Sequence, residues 1–472
     1  MNNIAEDNLP VLIAGPEFNK TIPKRTESVI FTDVKAPDRA SLTDVSNVHD
    51  GSIVAWLDKT VYTVSTQHSG IKVYANPDAS NMFNGYENIA CKKLTYIDVL
   101  NLDTSKVTNM NKMFCHAGYN ASTFVIEGLS GWNTSQVANM SFMFHSVGYS
   151  ANAFTIEGLS GWNTSQATDM SCMFAYAGHS ASTWNIGDLS NWDTSQVTDM
   201  SSMFENAGMK ASAWSVIGLS GWDTSNVTSM ACMFSGAGYS ANMWNIGDLS
   251  NWDTAQVTNM SGMFKYAGND AKIFSVGDLS NWNTSRVTDM SMMFHSAGSR
   301  ARVFTLDLSN WDTSQVTSMV QMFSFAGHNA KRFAIEGLSR WNTSKVTNMS
   351  RMFAYTGYKA STFTIEGLSD WDISKVTDMS FMFCYAGHDA NIWFIDLSGW
   401  DTSKVKDMSC MFGYAGYQAE EFNLDLSNWS IDEKADIEDI FYDAGYNATE
   451  WNIDCSSWAL WSQISNQHLS IR

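Results

Sequence analysis

The sequence predicts an α/β fold: a curved solenoid of about twelve strand–helix repeats of 29 or 30 residues, behind a small N-terminal β-containing cap. Three observations carry that expectation. One phenylalanine returns twelve times from Phe114 to Phe441, 30 residues apart except in three intervals of 29. Self-similarity at such a period marks a solenoid, in which each unit buries its apolar face against the next. Within each unit the apolar spacing changes from alternation to offsets of three and four. Finally, all five prolines (Pro10, Pro16, Pro23, Pro37 and Pro77) precede the repeats, which places a boundary between residue 77 and about residue 100.

Residues 1–28 show no periodicity and read as an arm that needs something to dock against. Residues 29–95 form the expected cap, in which 52–57 and 61–64 flank Asp58-Lys-Thr60 as a β-hairpin. Phe83 looks like a degenerate repeat copy one step ahead of Phe114. The array is expected over 96–455, with a C-terminal cap over 456–472. In a representative unit, Trp184 and Ile186 lie two apart and predict a strand near 184–189. Long units carry an extra residue beside a glycine, as in Phe154-Thr-Ile-Glu-Gly-Leu159, which predicts a bulge or tight bend. Val197, Met200, Met203, Phe204 and Ala207 predict a helix near 195–207, capped by Asp193-Thr-Ser195 and ended by Gly208. Strands stack about 4.8 Å apart and helices about 8–10 Å, so such units would curve with the strands inside. Residues 430–441 replace the repeat pattern with charge, as a terminal cap would.

Acidic residues outnumber basic ones 48 to 28, which argues against general nucleic-acid or anionic-membrane binding. Seven scattered cysteines show no CxxC and no metal-ligand spacing along the chain, so free thiols and no metal are expected. No apolar stretch is long enough to span a membrane, and no signal peptide, lipidation cysteine or hydrophobic anchor is expected.

The run Asp-Leu-Ser-Asn-Trp-Asp-Thr-Ser-x-Val-Thr-Asp-Met-Ser-x-Met-Phe at 188–204 resembles the BspA family of leucine-rich-repeat surface proteins, over roughly residues 80–455. Asp50-Gly-Ser-Ile-Val-Ala-Trp-Leu57 also looks like the segment that precedes such repeats. The resemblance implies a non-enzymatic protein that is exposed on a bacterial surface or a phage particle and engaged in adhesion or host-protein binding. Two readings follow. In the first, the repeat surface binds a protein or glycan on a cell surface. In the second, the chain is a virion subunit (fibre, tail or capsid decoration) docked to other virion proteins through residues 1–28.

No catalytic constellation is visible, and no cofactor is expected. Ser, Thr and Asp recur in register, as capping requires and a single active site does not. His179, His328 and His388 alternate with tyrosine in the slot after Ala-Gly and read as loop-surface residues. Eleven tryptophans from Trp132 to Trp429 share one slot, which favours core packing over sugar-stacking platforms. The residue between the strand aromatic and the next apolar position is mostly small and polar, from Val125 to Asn452, and should face outward. The one charge anomaly lies at 265–375, which holds twelve Lys and Arg against nine Asp and Glu and leaves −23 for the rest of the chain. Within it Lys272, Arg302 and Lys331 share a slot, flanked by Arg300 and Arg332, and these five are the candidate partner-binding residues.

Overall fold

The computed structural model describes residues 9–454 and Trp458, and its contacts divide into two compact units, 1–226 and 227–472. Residues 1–8 of the expected arm, Cys455 and the expected C-terminal cap, Trp458 excepted, lie outside the described residues.

In the first unit, residues 9–28 do not form a free arm. Val11 bridges Tyr74 in parallel, and the short helix α1 (Gly15–Thr21) buries Phe18 completely. The Phe18 ring lies 5.9 Å from Phe31, 6.3 Å from Tyr62 and 6.0 Å from Phe83. The docking partner is the head itself. Asn19 completes the seam by donating from its amide to the carbonyl oxygen of Asn84 at 3.1 Å.

The head is built on a six-stranded sheet. Strands β1 (Ser28–Thr32), β2 (Thr43–Asp44), β3 (Val54–Asp58) and β4 (Val61–Ser65) are joined by two rungs of the repeat array. β3 and β4 form the expected antiparallel hairpin. β1 pairs in parallel with both β4 and the first rung, Tyr96–Asp98, which pairs in parallel with Val125–Glu127. The head therefore covers the first edge of the stack and satisfies its backbone groups, which an exposed strand edge would leave open. Phe83 sits 5.2 Å above Phe114 with rings 11° apart, so the degenerate copy is a true turn of the stack.

In both units each repeat is one turn of a β-solenoid, and the expected helix is replaced. Along 170–176 the N–H groups of Met170, Cys172, Phe174 and Tyr176 donate to carbonyls of Asp199, Ser201, Met203 and Glu205 on the next turn. Between them Met173, Ala175 and Ala177 donate three residues back, to Met170, Cys172 and Phe174. Cys172 and Tyr176 have φ of +54° and +58°, conformations an α-helix does not contain. The second unit repeats the pattern, with Met349, Arg351, Phe353 and Tyr355 donating to Asp378, Ser380, Met382 and Cys384. Overlapping tight turns with a left-handed residue every fourth position bury offsets of three and four, just as a helix does. The apolar pattern could not separate the two.

This correction removes the reason for curvature. The turn segments step at the same spacing as the strands: successive Phe rings lie 5.4 Å apart from Phe114 to Phe144, Phe144 to Phe174 and Phe353 to Phe383. Among the described residues the repeats contain no α-helix to set against the strands.

Asp-Thr-Ser keeps a capping role, but on a turn. Asp193 accepts the Ser195 N–H at 3.0 Å, and Thr194 donates its hydroxyl to the Asp223 carbonyl of the next turn at 2.8 Å. In the second unit Asp312 accepts from Ser314, and Thr313 donates to Asn342. The threonine ladder is thus a buried inter-turn bond, which explains why threonine fills that slot. Gly208 is left-handed as expected, at φ +52°, and a Cβ there would meet Trp184 Cγ at 2.6 Å. The inserted Gly158, at φ +92°, starts a tight 3-10 bend at Leu159–Gly161.

The eleven repeat tryptophans are buried, Trp252 among them, with only 2% exposed. Trp458 continues their slot, 6.1 Å from Trp429. Residues 430–441 still form a solenoid turn, since Met408, Cys410 and Phe412 donate to Asp436, Glu438 and Ile440. Among the described residues no helix is long and apolar enough to cross a membrane.

Candidate functional site

In the second unit, the outward face of the strands carries the candidate cations. Thr305 and Thr364 flank Ala334 on paired strands Val303–Asp307, Arg332–Glu336 and Thr362–Ile365. Most residues of that slot are exposed, as expected; Ala334, however, is 3% exposed. Just ahead of the strands, Lys272, Arg302 and Lys331 occupy successive turns in register: Arg302 N–H donates to the Lys272 carbonyl at 3.3 Å, and Lys331 N–H to the Arg302 carbonyl at 2.9 Å. All three side chains are exposed, as is Arg332, which pairs across from Val303.

The fifth candidate behaves differently. Arg300 Nε lies 3.2 Å from Asp270 Oδ1 and is neutralised by it. An exposed pair of this kind is worth about 0–1 kcal/mol, so it adds little stability and removes one cation from the stripe. No acid lies within ion-pair distance of Lys272, Arg302, Lys331 or Arg332 among the described residues.

An apolar line runs beside the cations. Met243, Ile273 and Val303 hold one strand slot on three turns and are 50%, 61% and 52% exposed. Ile273 and Val303 directly follow Lys272 and Arg302 in the chain. At the far ends of the next strands Asp307 and Glu336 pair across from each other. The face is therefore basic at one side, apolar along one line, and acidic at the other.

The repeat that builds this face is matched by the model of one family, described as a Mycoplasma protein of unknown function, DUF285. It matches at residues 77–211, 178–269, 208–331, 239–358 and 357–469. The chain belongs to the DUF285 family. No curated protein and no solved structure matches it. The overlapping matches cover the whole candidate face, so the basic stripe is a variation within DUF285 repeats and not an inserted domain.

This DUF285 chain also carries two aromatic ladders, one of which holds the histidines expected at the loop surface. In the second unit Phe325, Tyr355, Tyr385 and Tyr414 stack at 4.4, 4.6 and 4.3 Å. Beside them His328, Tyr358, His388 and Tyr417 stack at 4.8, 4.4 and 4.9 Å. In the first unit His179 stacks on Tyr149 at 4.3 Å. These histidines are half-buried rungs, and burial lowers the pKa of both His179 and His328. The signal was present in the slot alternation of His with Tyr, since both offer a flat ring to the next turn.

Proposed function

We propose that this chain is a non-enzymatic interaction protein whose strand face binds an acidic macromolecule, protein or glycan, on a cell surface. The observation that supports it is the coincidence of two lines that overlap on two turns. The exposed cations Lys272, Arg302 and Lys331 run beside exposed Met243, Ile273 and Val303, with Lys272 next to Ile273 and Arg302 next to Val303. Exposed apolar side chains flanked by unpaired charge are what a docking surface offers, with contact area from one line and orientation from the other. The acidic side of the face, at Asp307 and Glu336, would set a partner's direction across the strands. The repeat resemblance to BspA-like surface proteins agrees with adhesion as the setting. The recurrence of Ser, Thr and Asp as turn caps and inter-turn ladders accounts for these residues without catalysis.

The second reading, a virion subunit docked through residues 1–28, drew on an unoccupied arm. Residues 9–28 are engaged with the head, which favours the repeat face as the docking element.

Binding of the labelled full chain to animal cells tests the proposal, before and after enzymatic removal of anionic glycans or of surface protein. Saturable binding that one treatment abolishes supports it. Binding absent from all cells, or unchanged by raising salt, contradicts it.

A further inference from the structure

Consecutive turns of the first unit bring three metal-ligating side chains together. Cys115 Sγ lies 3.3 Å from His116 Nδ1 and 3.9 Å from His145 Nδ1, and the ligand atoms of all three lie within 4.8 Å of one another. Among the described residues this is the one group of three or more His, Cys, Asp or Glu side chains that converges so closely. We propose that Cys115, His116 and His145 form a binding site for a soft or borderline d10 metal ion, Zn(II) or Cu(I).

The spacing fits. Zn–S bonds of about 2.3 Å and Zn–N bonds of about 2.0–2.1 Å at tetrahedral angles place ligand atoms about 3.3–3.6 Å apart. The two contacts to sulfur bracket that range. The solenoid supplies the convergence, because Cys115 and His145 hold the same slot on successive turns while His116 follows Cys115 in the chain. The His116 and His145 rings stack 5.3 Å apart at 22°, and Tyr86 covers His116 at 4.0 Å. Cys115 and His116 are buried and His145 is half-buried, which leaves one side for entry.

A site of this kind uses neutral imidazoles and a thiolate. Binding would form the Cys115 S–metal bond and release the thiol proton to solvent. The ammonium of Lys112 lies 5.5 Å over the Phe142 ring, and that of Lys92 lies 5.2 Å over Tyr86. Of the two, Lys112 favours a thiolate at Cys115. One thiolate with two neutral imidazoles suits Cu(I) or Zn(II) over harder ions, which prefer oxygen.

The repeat itself supplies variants that fold. The slot of Cys115 and His145 holds Ala at Ala175 and Ala354, and the slot of His116 holds Ser at Ser146 and Ser296. Cys115→Ala, and His116→Ser with His145→Ala, therefore introduce side chains the same turns already accept. The test strips the purified full chain with chelator and titrates it anaerobically with Co(II) as a spectroscopic proxy for Zn(II). In a second arm it is titrated with Cu(I) delivered from bicinchoninate. The expected result is one equivalent bound, with a thiolate-to-Co(II) charge-transfer band that Zn(II) removes, or one Cu(I) withdrawn from the chelator. Each variant should bind at least about a hundredfold more weakly with unchanged circular dichroism, since loss of even outer-shell partners costs about 10–100-fold. Failure of the wild-type chain to bind either ion overturns the proposal, as does binding that survives in Cys115→Ala.

Discussion

The indole N–H of Trp192 donates to the carbonyl oxygen of Leu159 on the previous turn, at 2.9 Å. The same bond joins Trp162 to Leu129, Trp282 to Leu249 and Trp371 to Leu338. The side chain fills the core and adds a second donor to a carbonyl that already accepts a backbone N–H, as Leu159 does from Trp162 at 3.1 Å, so the indole also ties successive turns together. Trp192→Ala should destabilise by about 3–5 kcal/mol, the range for truncating a buried large aromatic. Trp192→Phe keeps most of the ring but removes one of the two hydrogen bonds to the Leu159 carbonyl, which still accepts the Trp162 N–H at 3.1 Å, and should cost about 0.5–1.5 kcal/mol. Urea denaturation of both variants decides it, and an unchanged midpoint for the alanine variant would return these tryptophans to the surface.

A second prediction separates left-handed turns from helices. Ser202 sits at φ +54° without being glycine, and the same slot two repeats on already holds Gly262 at φ +61°. A left-handed residue with a Cβ costs about 1–2 kcal/mol, and glycine relieves that against its own entropy cost of about 0.5–1 kcal/mol. Ser202→Gly should therefore leave stability unchanged or raise it by up to about 1 kcal/mol. Ser202→Val should lower stability. A helix would rank glycine below valine, so thermal melts of the two variants give opposite orders under the two structures.

Much of the architecture was legible in the sequence because identical side chains stack on themselves. A register defined by Phe114, Phe144 and Phe174 is also a register of rings 5.4 Å apart. The hairpin of Val54–Asp58 with Val61–Ser65 and the slot shared by Lys272, Arg302 and Lys331 followed from alternation and period alone. The helix did not, because burial of Met200, Met203, Phe204 and Ala207 reports which residues face inward and not where their N–H groups point. The Arg300–Asp270 pair escaped although the two hold one slot on successive turns, since the period gives the register and not the rotamers that bring the two side chains together. The Cys115, His116 and His145 cluster escaped for a related reason: ligand spacing was sought along the chain, whereas the solenoid sets it across turns.

Acid should weaken the fold through its aspartate turns. Hydrogen bonds from the Ser195 side chain and N–H hold Asp193 below the usual carboxylate range, and Ser374 and Ser403 do the same for Asp372 and Asp401. Folded values below the unfolded one mean that this stability is present above about pH 4 and lost as pH falls through the folded values. Asp98, raised chiefly by burial, works in the opposite sense but stands alone against the repeated turns. Urea midpoints taken at successively lower pH should begin to fall below about pH 6.5, where the buried neutral histidines His179, His295 and His328 oppose protonation. They should fall further below about pH 4 as the aspartates protonate. Asp193→Asn, which keeps a turn-capping oxygen, should flatten that slope slightly. A midpoint that holds steady or rises on acidification would contradict the turn assignment.

The most direct test of the binding account reverses the stripe. Arg302→Glu with Lys331→Glu changes two exposed cations that no acid pairs among the described residues, so the fold and melting temperature should be unchanged. Association of the double variant with the cell surfaces that bind the wild-type chain should slow by about tenfold or more at low ionic strength, and the difference should shrink as salt screens the charges. The reversal Arg300→Glu, at a cation already neutralised by Asp270, should have a smaller effect. Equal association rates for the wild-type chain and the double variant at low salt would contradict the assignment of this face as the binding surface.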